Sequence, residues 1–516
     1  MGFTSILFRD SEKAVTNREP SFFRDLHLHS IMERILALSE EKADILSYFY
    51  TLPDTIEDVY YRQEIYRDLT CLPVREWVLS LCQKMQFAID RQDMAAQTND
   101  TLVRAAYFLE ASMEYGRGIE EFVTSPIRQE IHSRGLQDFF AYISEEWKSL
   151  QENGFYRALD EAGEIWESLT YTLSIQPDKI VLEENREEES DYLKEVKELL
   201  QLGDEQKSVF SGVFSDIIEP GFFERTMLHV LNRNHPDIFK LFASFYKAYK
   251  NVYSDVIFRF TKEIHFYLAF LIFAEKTEEK GYSFCLPEVT VLHSGDGSGE
   301  EQEFNGLGIY DAALLWKSTK KDSPVVTNDF SYGGHSSFFV VTGPNQGGKT
   351  TFARALGQAV YFSRMGLPVN ASSLEIPFFH GLLTHFEAEE SLMSNAGKLK
   401  EEINRLEPMM LSQEEGQFII LNELFTTATT ADAYSMGKRV MAHFGKRNCY
   451  GIYVTHIQEL AEESEHVISL VAQVEDGEEK RRTYRIIPMK PQGYGYSESL
   501  VKEFHLEYEE IIRRLS

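Results

Sequence analysis

The clearest chemical signal in this chain comes from the types and spacing of residues 343–350, which suit the binding of phosphate groups. They fit the phosphate-binding loop pattern G-x-x-x-x-G-K-[ST] at every fixed position. In that pattern glycines turn backbone N–H groups towards phosphates, Lys349 reaches the β- and γ-phosphates, and the Thr350 hydroxyl holds Mg²⁺. The motif therefore predicts a site for a nucleoside triphosphate. The residues predicted to hold the nucleotide are Gly343, Pro344, Asn345, Gln346, Gly347, Gly348, Lys349, Thr350 and Thr351.

Two further polar groups follow apolar runs that read as strands. Glu423 comes just after 418–421, and His456 follows the run that ends at Val454. In an open α/β sheet, ligands bind at the carboxyl ends of the strands, so both side chains should face the phosphates. Glu423 is a candidate general base for an attacking water, and His456 a candidate sensor of that water or of the γ-phosphate. These two are the predicted catalytic residues.

The predicted metal ligands are Thr350 and Asn422. A carboxylate is the usual group at the end of such a strand, where it holds a metal-bound water. Asn422 accepts a hydrogen bond but brings no charge, which should weaken Mg²⁺ binding by roughly tenfold or more.

The loop needs a strand before it and a helix after it. The run Phe338–Val341 predicts that strand, and 351–365, rich in helix formers, predicts the helix. Helical patterns separate most of the other β-rich runs, which favours a parallel sheet with crossover helices. Those runs are 325–326, 418–421, 451–454 and 484–487.

The first half of the chain has a different character. Apolar residues at helical spacing predict helices over 101–116 and 136–150, and 179–182 reads as a short strand. The pattern changes near Gly281, and the glycine-rich stretch 294–299 predicts a loop. A helical half therefore precedes an α/β nucleotide-binding half.

Charge argues against tight, nonspecific binding of nucleic acid. The 516 residues include 52 Lys and Arg against 82 Asp and Glu, a net charge of −30. Binders of nucleic acid usually carry a basic excess or a basic stripe. The densest basic cluster is 480–482, and it lies beside the acidic run 475–479.

Nothing in the sequence predicts a membrane span or a signal peptide. The longest apolar run, 266–274, is far shorter than a bilayer requires. The four cysteines are scattered, which favours free thiols in a reducing compartment. We therefore expect a cytoplasmic protein.

Three motifs and a turn together resemble the MutS family of ATPases. TGPNQGGKTT (342–351) is similar to the family's TGPN-x-GGK[ST]T, which is more restrictive than the general loop pattern. LNELFTTATTAD (421–432) and YVTHIQEL (453–460) stand where the family has D-E-x-x-x-G-T-[ST]-x-x-D and F-x-T-H-x-x-E-L. The turn at 492–496 resembles the family's closing G-x-S-Y turn. The resemblance is strong over 325–516 and weaker over 20–325.

The resemblance implies a multidomain fold, with an α-helical core and lever region followed by an ABC-type P-loop ATPase domain. The implied segments are a helical core over 1–75, levers with a reduced clamp over 76–280, and the ATPase domain over 281–516. It also implies ATP and Mg²⁺ as cofactors, and a homodimer with composite ATP sites. In that dimer the helix start near 394–398 would complete the partner's site.

The chain also departs from the family pattern. Asn422 replaces the family's Asp, Gly397 replaces the serine of S-x-F-x-x-E, and Phe425 and Thr427 stand where the family uses glycines. We expect a MutS-like protein that lacks the N-terminal mismatch-reading domains and an Smr domain.

Three functional hypotheses remain open on the sequence. The first is a DNA-binding ATPase of repair or recombination that clamps mismatched or branched DNA. The second is a MutS-like ATPase that acts on a ribosome or a protein partner. The third is a nucleotide-binding scaffold with degraded catalysis.

Overall fold

The computed structural model divides into two compact units. The first comprises Met1–Thr4, Cys71–Ile131 and Leu136–Thr261, and the second Ser5–Thr70, His132–Gly135 and Lys262–Ser516. The three-segment division implied by the family resemblance stays a prediction. The structure describes residues 3–9, 14–38, 42–169, 171–176, 179–184, 222–292, 303–317, 324–332, 338–386, 395–462, 464, 466–474 and 482–491.

Helices dominate the first part of the chain, and strands and helices alternate in the second. The α-helices are α1 (Phe22–Asp25), α2 (Leu28–Ala37), α3 (Lys42–Tyr50), α4 (Ile56–Thr70), α5 (Leu72–Gln97), α6 (Thr101–Thr124), α7 (Arg134–Glu152), α8 (Phe155–Ser168), α9 (Phe222–Asn234), α10 (Pro236–Tyr249), α11 (Asp255–Glu263), α12 (His265–Glu278), α13 (Ala312–Lys317), α14 (Lys349–Arg364), α15 (Asn395–Leu411) and α16 (Thr430–Gly445). The strands are β1 (Tyr171–Gln176), β2 (Lys179–Glu184), β3 (Glu288–Thr290), β4 (Phe304–Ile309), β5 (Asn328–Tyr332), β6 (Phe338–Thr342), β7 (Ser373–Pro377), β8 (Gly381–His385), β9 (Gln417–Asn422), β10 (Tyr450–Val454), β11 (Val467–Val474) and β12 (Arg482–Pro488).

The first unit is built on the long antiparallel pair α5 and α6. Asp100 begins α6 by accepting hydrogen bonds from the backbone N–H groups of Leu102 and Val103, which are otherwise unpaired at a helix start. The Trp77 ring stacks on Phe122 between the two helices, with centroids 3.8 Å apart. The antiparallel hairpin of β1 and β2 follows α8. The helices predicted over 101–116 and 136–150 and the strand predicted over 179–182 are all confirmed.

In the second unit, the helix after the phosphate-binding loop, α14, is held by the N-terminal helices. The buried Gln358 side chain donates to the Leu26 carbonyl oxygen over 3.0 Å, and the Tyr361 hydroxyl donates to the Phe49 carbonyl oxygen over 2.7 Å. These bonds satisfy carbonyl groups that the ends of α1 and α3 leave without intrahelical partners. Helices α1 to α4 and the α/β fold around the phosphate-binding loop therefore share one compact unit.

A six-stranded sheet of order β12-β11-β6-β10-β9-β8 lies at the centre of this unit. Its neighbours pair in parallel, except that β12 runs antiparallel to β11. Strands β6 and β9 are buried along their whole length, as expected of central parallel strands with both faces covered. The parallel sheet predicted from the alternating pattern is confirmed, together with its strands near 418–421, 451–454 and 484–487.

A smaller four-stranded sheet has the order β3-β7-β4-β5. The strand predicted at 325–326 is wrong, because β5 begins at Asn328 instead. The Tyr282 hydroxyl pairs with both backbone groups of Val325: it accepts from the N–H over 2.7 Å and donates to the carbonyl oxygen over 3.1 Å. These two bonds occupy the groups that a strand ladder would use.

None of the described helices is long and apolar enough to span a membrane. All four cysteines are free thiols. The predicted loop at 294–299, the closing turn at 492–496 and the basic residues 480–481 lie outside the described residues.

Candidate active site

The phosphate-binding loop connects β6 to α14 through a backbone that only glycine adopts with ease. Gly343 and Gly348 have φ angles of 124° and 95°, and Gln346 between them has a φ of 60°. A Cβ atom at Gly343 would lie 2.9 Å from the Cβ atom of Ala472 on β11. The loop therefore packs tightly on the sheet, and the first backbone N–H groups of α14 open towards it.

Lys349 lies inside the loop. Its side chain is buried, and its Nζ atom donates to the carbonyl oxygens of Gly343 over 2.9 Å and Pro344 over 3.1 Å. Burial lowers the pKa of Lys349, and the negative charge of Glu423 opposes that shift. The loop thus holds the Lys349 ammonium group at a point where phosphate oxygens could take the place of these two carbonyl oxygens as hydrogen-bond acceptors.

Thr350 joins the loop to the end of β9. Its hydroxyl donates to the Oδ1 atom of Asn422 over 2.9 Å. Hydroxyl, amide and water oxygens suit Mg²⁺, so the donor set fits this cation although it lacks a carboxylate at position 422. The two predicted metal ligands are thus neighbours.

Glu423 and His456 meet at the carboxyl ends of β9 and β10, which are adjacent parallel strands. The Nε2 atom of His456 lies 3.2 Å from the Oε1 atom of Glu423. The hydrogen bond from His456 lowers the pKa of Glu423, burial opposes this, and the charges of His456 and Lys349 reinforce it. Glu423 is therefore a carboxylate at neutral pH, ready to accept a proton.

The remaining predicted loop residues occupy its tip and the start of α14. Asn345 and Gln346 are exposed, and the Gly347 N–H donates to the Pro344 carbonyl oxygen over 3.2 Å, which closes the turn. Thr351 is half-buried on the first turn of α14. The structure thus groups the predicted nucleotide, metal and catalytic residues in one region, while their individual roles stay predictions.

Sequence reasoning missed two contacts at this site. Arg482, on β12, donates from Nη1 to the Oε1 atom of Gln346 over 2.8 Å. Glu402, on α15, accepts the backbone N–H of Phe425 at its Oε1 atom over 2.7 Å. The signal for the second was present, because Glu402 ends the stretch that fits the S-x-F-x-x-E spacing. Gly397 lies in the first turn of α15, whereas Ser391 and Ser394 lie outside the described residues.

Comparison with known families agrees with this geometry. Residues 339–492 match the family model described as MutS domain V. That stretch contains most of the central sheet, the phosphate-binding loop with α14, and the predicted catalytic residues Glu423 and His456.

Curated relatives are similar to part of this chain, and the similarity covers only part of each relative. The DNA mismatch repair protein MutS of Chlorobium phaeovibrioides is 28% identical over 198 residues, which is 37% of this chain and 21% of that protein. The DNA mismatch repair protein MSH6 of Arabidopsis thaliana is 26% identical over 224 residues, 41% of this chain and 16% of that protein. The DNA mismatch repair protein MSH2 of Saccharomyces cerevisiae is 26% identical over 199 residues, 36% of this chain and 21% of that protein.

The alignments thus cover about a fifth of the length of these relatives. MutS domain V is an ATPase domain, and here it follows an N-terminal helical region. Over residues 339–492 this chain therefore resembles the ATPase domain of the MutS proteins.

Proposed function

We propose that this chain binds ATP with Mg²⁺, hydrolyses it to ADP and phosphate, and couples that cycle to clamping of mismatched or branched DNA. The observation that carries the hydrolysis is the 3.2 Å contact between His456 and Glu423 at the sheet edge beside the phosphate-binding loop. The DNA part rests on the relatives, which are named as DNA mismatch repair proteins.

In the proposed reaction a water attacks the γ-phosphorus, and the bond from that phosphorus to the β–γ bridging oxygen breaks. The Glu423 carboxylate accepts the proton that the water loses, and His456 orients the carboxylate. Lys349 offsets charge on the β- and γ-phosphates, because its ammonium sits within the loop that surrounds them. Thr350 and Asn422 would hold Mg²⁺, which would supply further charge neutralisation when bound.

We also propose the assembly that the family resemblance implies. Two chains form a homodimer in the cytoplasm, and the start of α15 in one chain completes the site of the other. ATP binding then draws the ATPase domains of 281–516 together and moves the levers of 76–280 relative to the core of 1–75. Sedimentation velocity of a Glu423→Gln variant tests this: ATP should convert monomer to dimer, and a monomer at all ATP concentrations would contradict it.

Steady-state ATP hydrolysis measures the DNA coupling. The protein is assayed alone and with homoduplex, mismatched and four-way-junction DNA, with Glu423→Gln as the inactive control. The proposal expects stimulation by mismatched or branched DNA beyond that by homoduplex, absent in the control. If no DNA changes the rate of hydrolysis, the proposed ATPase activity stands and the proposed clamping of DNA is wrong.

A second candidate function is favoured by charge. A net charge of −30 is unfavourable for a protein that encloses a polyanion. In this alternative the ATPase cycle acts on a ribosome or a protein partner. It expects no stimulation by any DNA, and stimulation by purified ribosomes or a cell fraction from which nucleic acid has been removed.

A further inference from the structure

The loop that follows Glu423 has an unusual backbone. Glu423 and Phe425 have φ angles of 54° and 63°, in the left-handed region that side-chain-bearing residues rarely occupy. Two such residues, separated only by Leu424, must be held by their surroundings. The shape of this loop decides where the Glu423 carboxylate lies, because the backbone of Glu423 is part of it.

One end of the loop is held by the sheet. The Glu423 N–H donates to the Val454 carbonyl oxygen over 2.8 Å, which extends the pairing of β9 with β10 by one residue. The Phe425 ring is 3% exposed and packs in the apolar cluster under α16. Members of that cluster near the loop are Leu421, Leu424, Tyr453 and Leu460.

The other end of the loop is held by a carboxylate from a different element. Glu402 Oε1 accepts the Phe425 N–H over 2.7 Å, across 23 residues of sequence. The bond to an ionised acceptor is stronger than one between neutral groups. Burial raises the pKa of Tyr453 on β10, and the Glu402 charge raises it further, so this carboxylate lies close to the strand that precedes His456.

We propose that Glu402 is a positioning residue for Glu423, acting through the backbone N–H of Phe425. It keeps Phe425 in the left-handed conformation, which fixes the loop and thereby the carboxylate that accepts the proton. This inference rests on the proposed role of Glu423 as general base. It also makes α15 a part of the catalytic apparatus, because any displacement of α15 at Glu402 pulls on the loop two residues from the base.

Three variants of α15 test the proposal by ATPase kinetics, nucleotide affinity and thermal melting. Glu402→Ala removes the acceptor, Glu402→Gln keeps an oxygen acceptor without charge, and Glu407→Ala removes an exposed carboxylate from the same helix as a control. We expect Glu402→Ala to lower kcat at least about tenfold with little change in the Kd for ATP, since small misplacement of a catalytic group is costly. Glu402→Gln should retain most of kcat, and Glu407→Ala all of it.

Equal losses of kcat in the Gln and Ala variants, or a fall in nucleotide affinity that matches the fall in kcat, would overturn the proposal. So would wild-type kcat in Glu402→Ala. A second measurement keeps the test decisive if Glu402→Ala folds poorly. In it, the effect of Glu402→Ala on kcat is measured in a Phe425→Gly background as well as in the wild type. Glycine adopts a φ of 63° unaided, so Glu402→Ala should reduce kcat much less in that background than in the wild type. An undiminished effect there contradicts the proposal.

The Glu423→Gln variant separates this inference from the function on which it rests. If Glu423→Gln retains wild-type hydrolysis, the general-base assignment is wrong. If Glu423→Gln is inactive while Glu402→Ala behaves as the wild type, only the positioning role is wrong.

Discussion

The hydroxyl of Thr350 donates a 2.9 Å hydrogen bond to the side-chain amide oxygen of Asn422, which links the phosphate-binding loop to the end of β9, next to Glu423. An amide in this position keeps the geometry of the contact and removes the negative charge that a carboxylate brings. At the predicted Mg²⁺ site, Asn422 thus contributes one negative charge fewer than the Asp of the MutS family pattern.

Asn422→Asp should tighten Mg²⁺ binding. The added charge makes the contact with the cation's water shell charge-assisted, so the Mg²⁺ concentration for half-maximal ATPase should fall by roughly tenfold. A titration of ATPase rate with Mg²⁺ measures this. Asn99→Asp, an exposed change of the same charge in the other unit, is the control. An unchanged Mg²⁺ requirement would show that position 422 does not contribute to the metal site.

Gly343→Ala should abolish tight nucleotide binding. Its φ of 124° is strained for alanine, and the new Cβ would lie 2.9 Å from the Ala472 Cβ and 3.1 Å from the Ala472 N atom, so the loop must shift. Gly281→Ala is a matched control, because its φ is 87° and a Cβ there would meet nothing within 4 Å. The control should lose about 1 kcal/mol of stability without loss of affinity. Titration with a fluorescent nucleotide measures the affinity of both variants. Equal nucleotide affinities of Gly343→Ala and Gly281→Ala would contradict the tight packing of the loop.

His456→Asn should raise the pH at which activity is lost on acidification. The hydrogen bond from His456 lowers the pKa of Glu423, so its removal returns that pKa towards the ordinary value. A general base works only when deprotonated, hence the acid limb of kcat/KM moves to higher pH in the variant. His29→Asn is the control, because His29 makes a similar 3.1 Å contact with Glu19 in an exposed position. Superimposable acid limbs for His456→Asn and the wild type would contradict the assignment.

Acid should destabilise the fold through His385. This side chain at the end of β8 is buried, and neither ring nitrogen has a partner in ordinary hydrogen-bond geometry among the described residues. Burial, with the charge of Arg405, lowers the pKa of His385 to about 4 from an ordinary 6.5. The unfolded chain therefore binds a proton that the folded chain does not, and stability falls as the pH falls through that window, by up to roughly 3 kcal/mol.

Thermal melting as a function of pH measures this effect. His385→Leu should flatten the decline in melting temperature between about pH 6.5 and 4, because the variant has no ring to protonate. Parallel curves for His385→Leu and the wild type would contradict the prediction.

Much of this fold followed from local pattern. The strand before the phosphate-binding loop and the helix after it were predicted within two residues, since glycine spacing and apolar runs are properties of adjacent residues. The ends of β9 and β10 were likewise predictable, and with them the proximity of Glu423 and His456. Parallel strands place their carboxyl ends at one edge whatever their side chains.

The contacts that were missed all join distant parts of the chain. Phe425, in the turn after β9, has a φ of 63° although it is not glycine, and the carboxylate that binds its N–H belongs to Glu402 on α15. Propensity argues against that conformation for phenylalanine, and tertiary contacts override it. The strand predicted at Val325 was wrong for the same reason. The hydroxyl of Tyr282, 43 residues earlier in the chain, binds the backbone groups of Val325 that a strand would use.

The bonds from Gln358 and Tyr361 to the carbonyl oxygens of Leu26 and Phe49 have an evolutionary consequence. A carbonyl oxygen is present in every residue type, so substitutions at positions 26 and 49 leave the acceptors of these bonds in place. The N-terminal helices are thus free to diverge in sequence while the same joint holds them to the ATPase fold. The family match covers 339–492, whereas the compact unit that contains it extends back to Ser5.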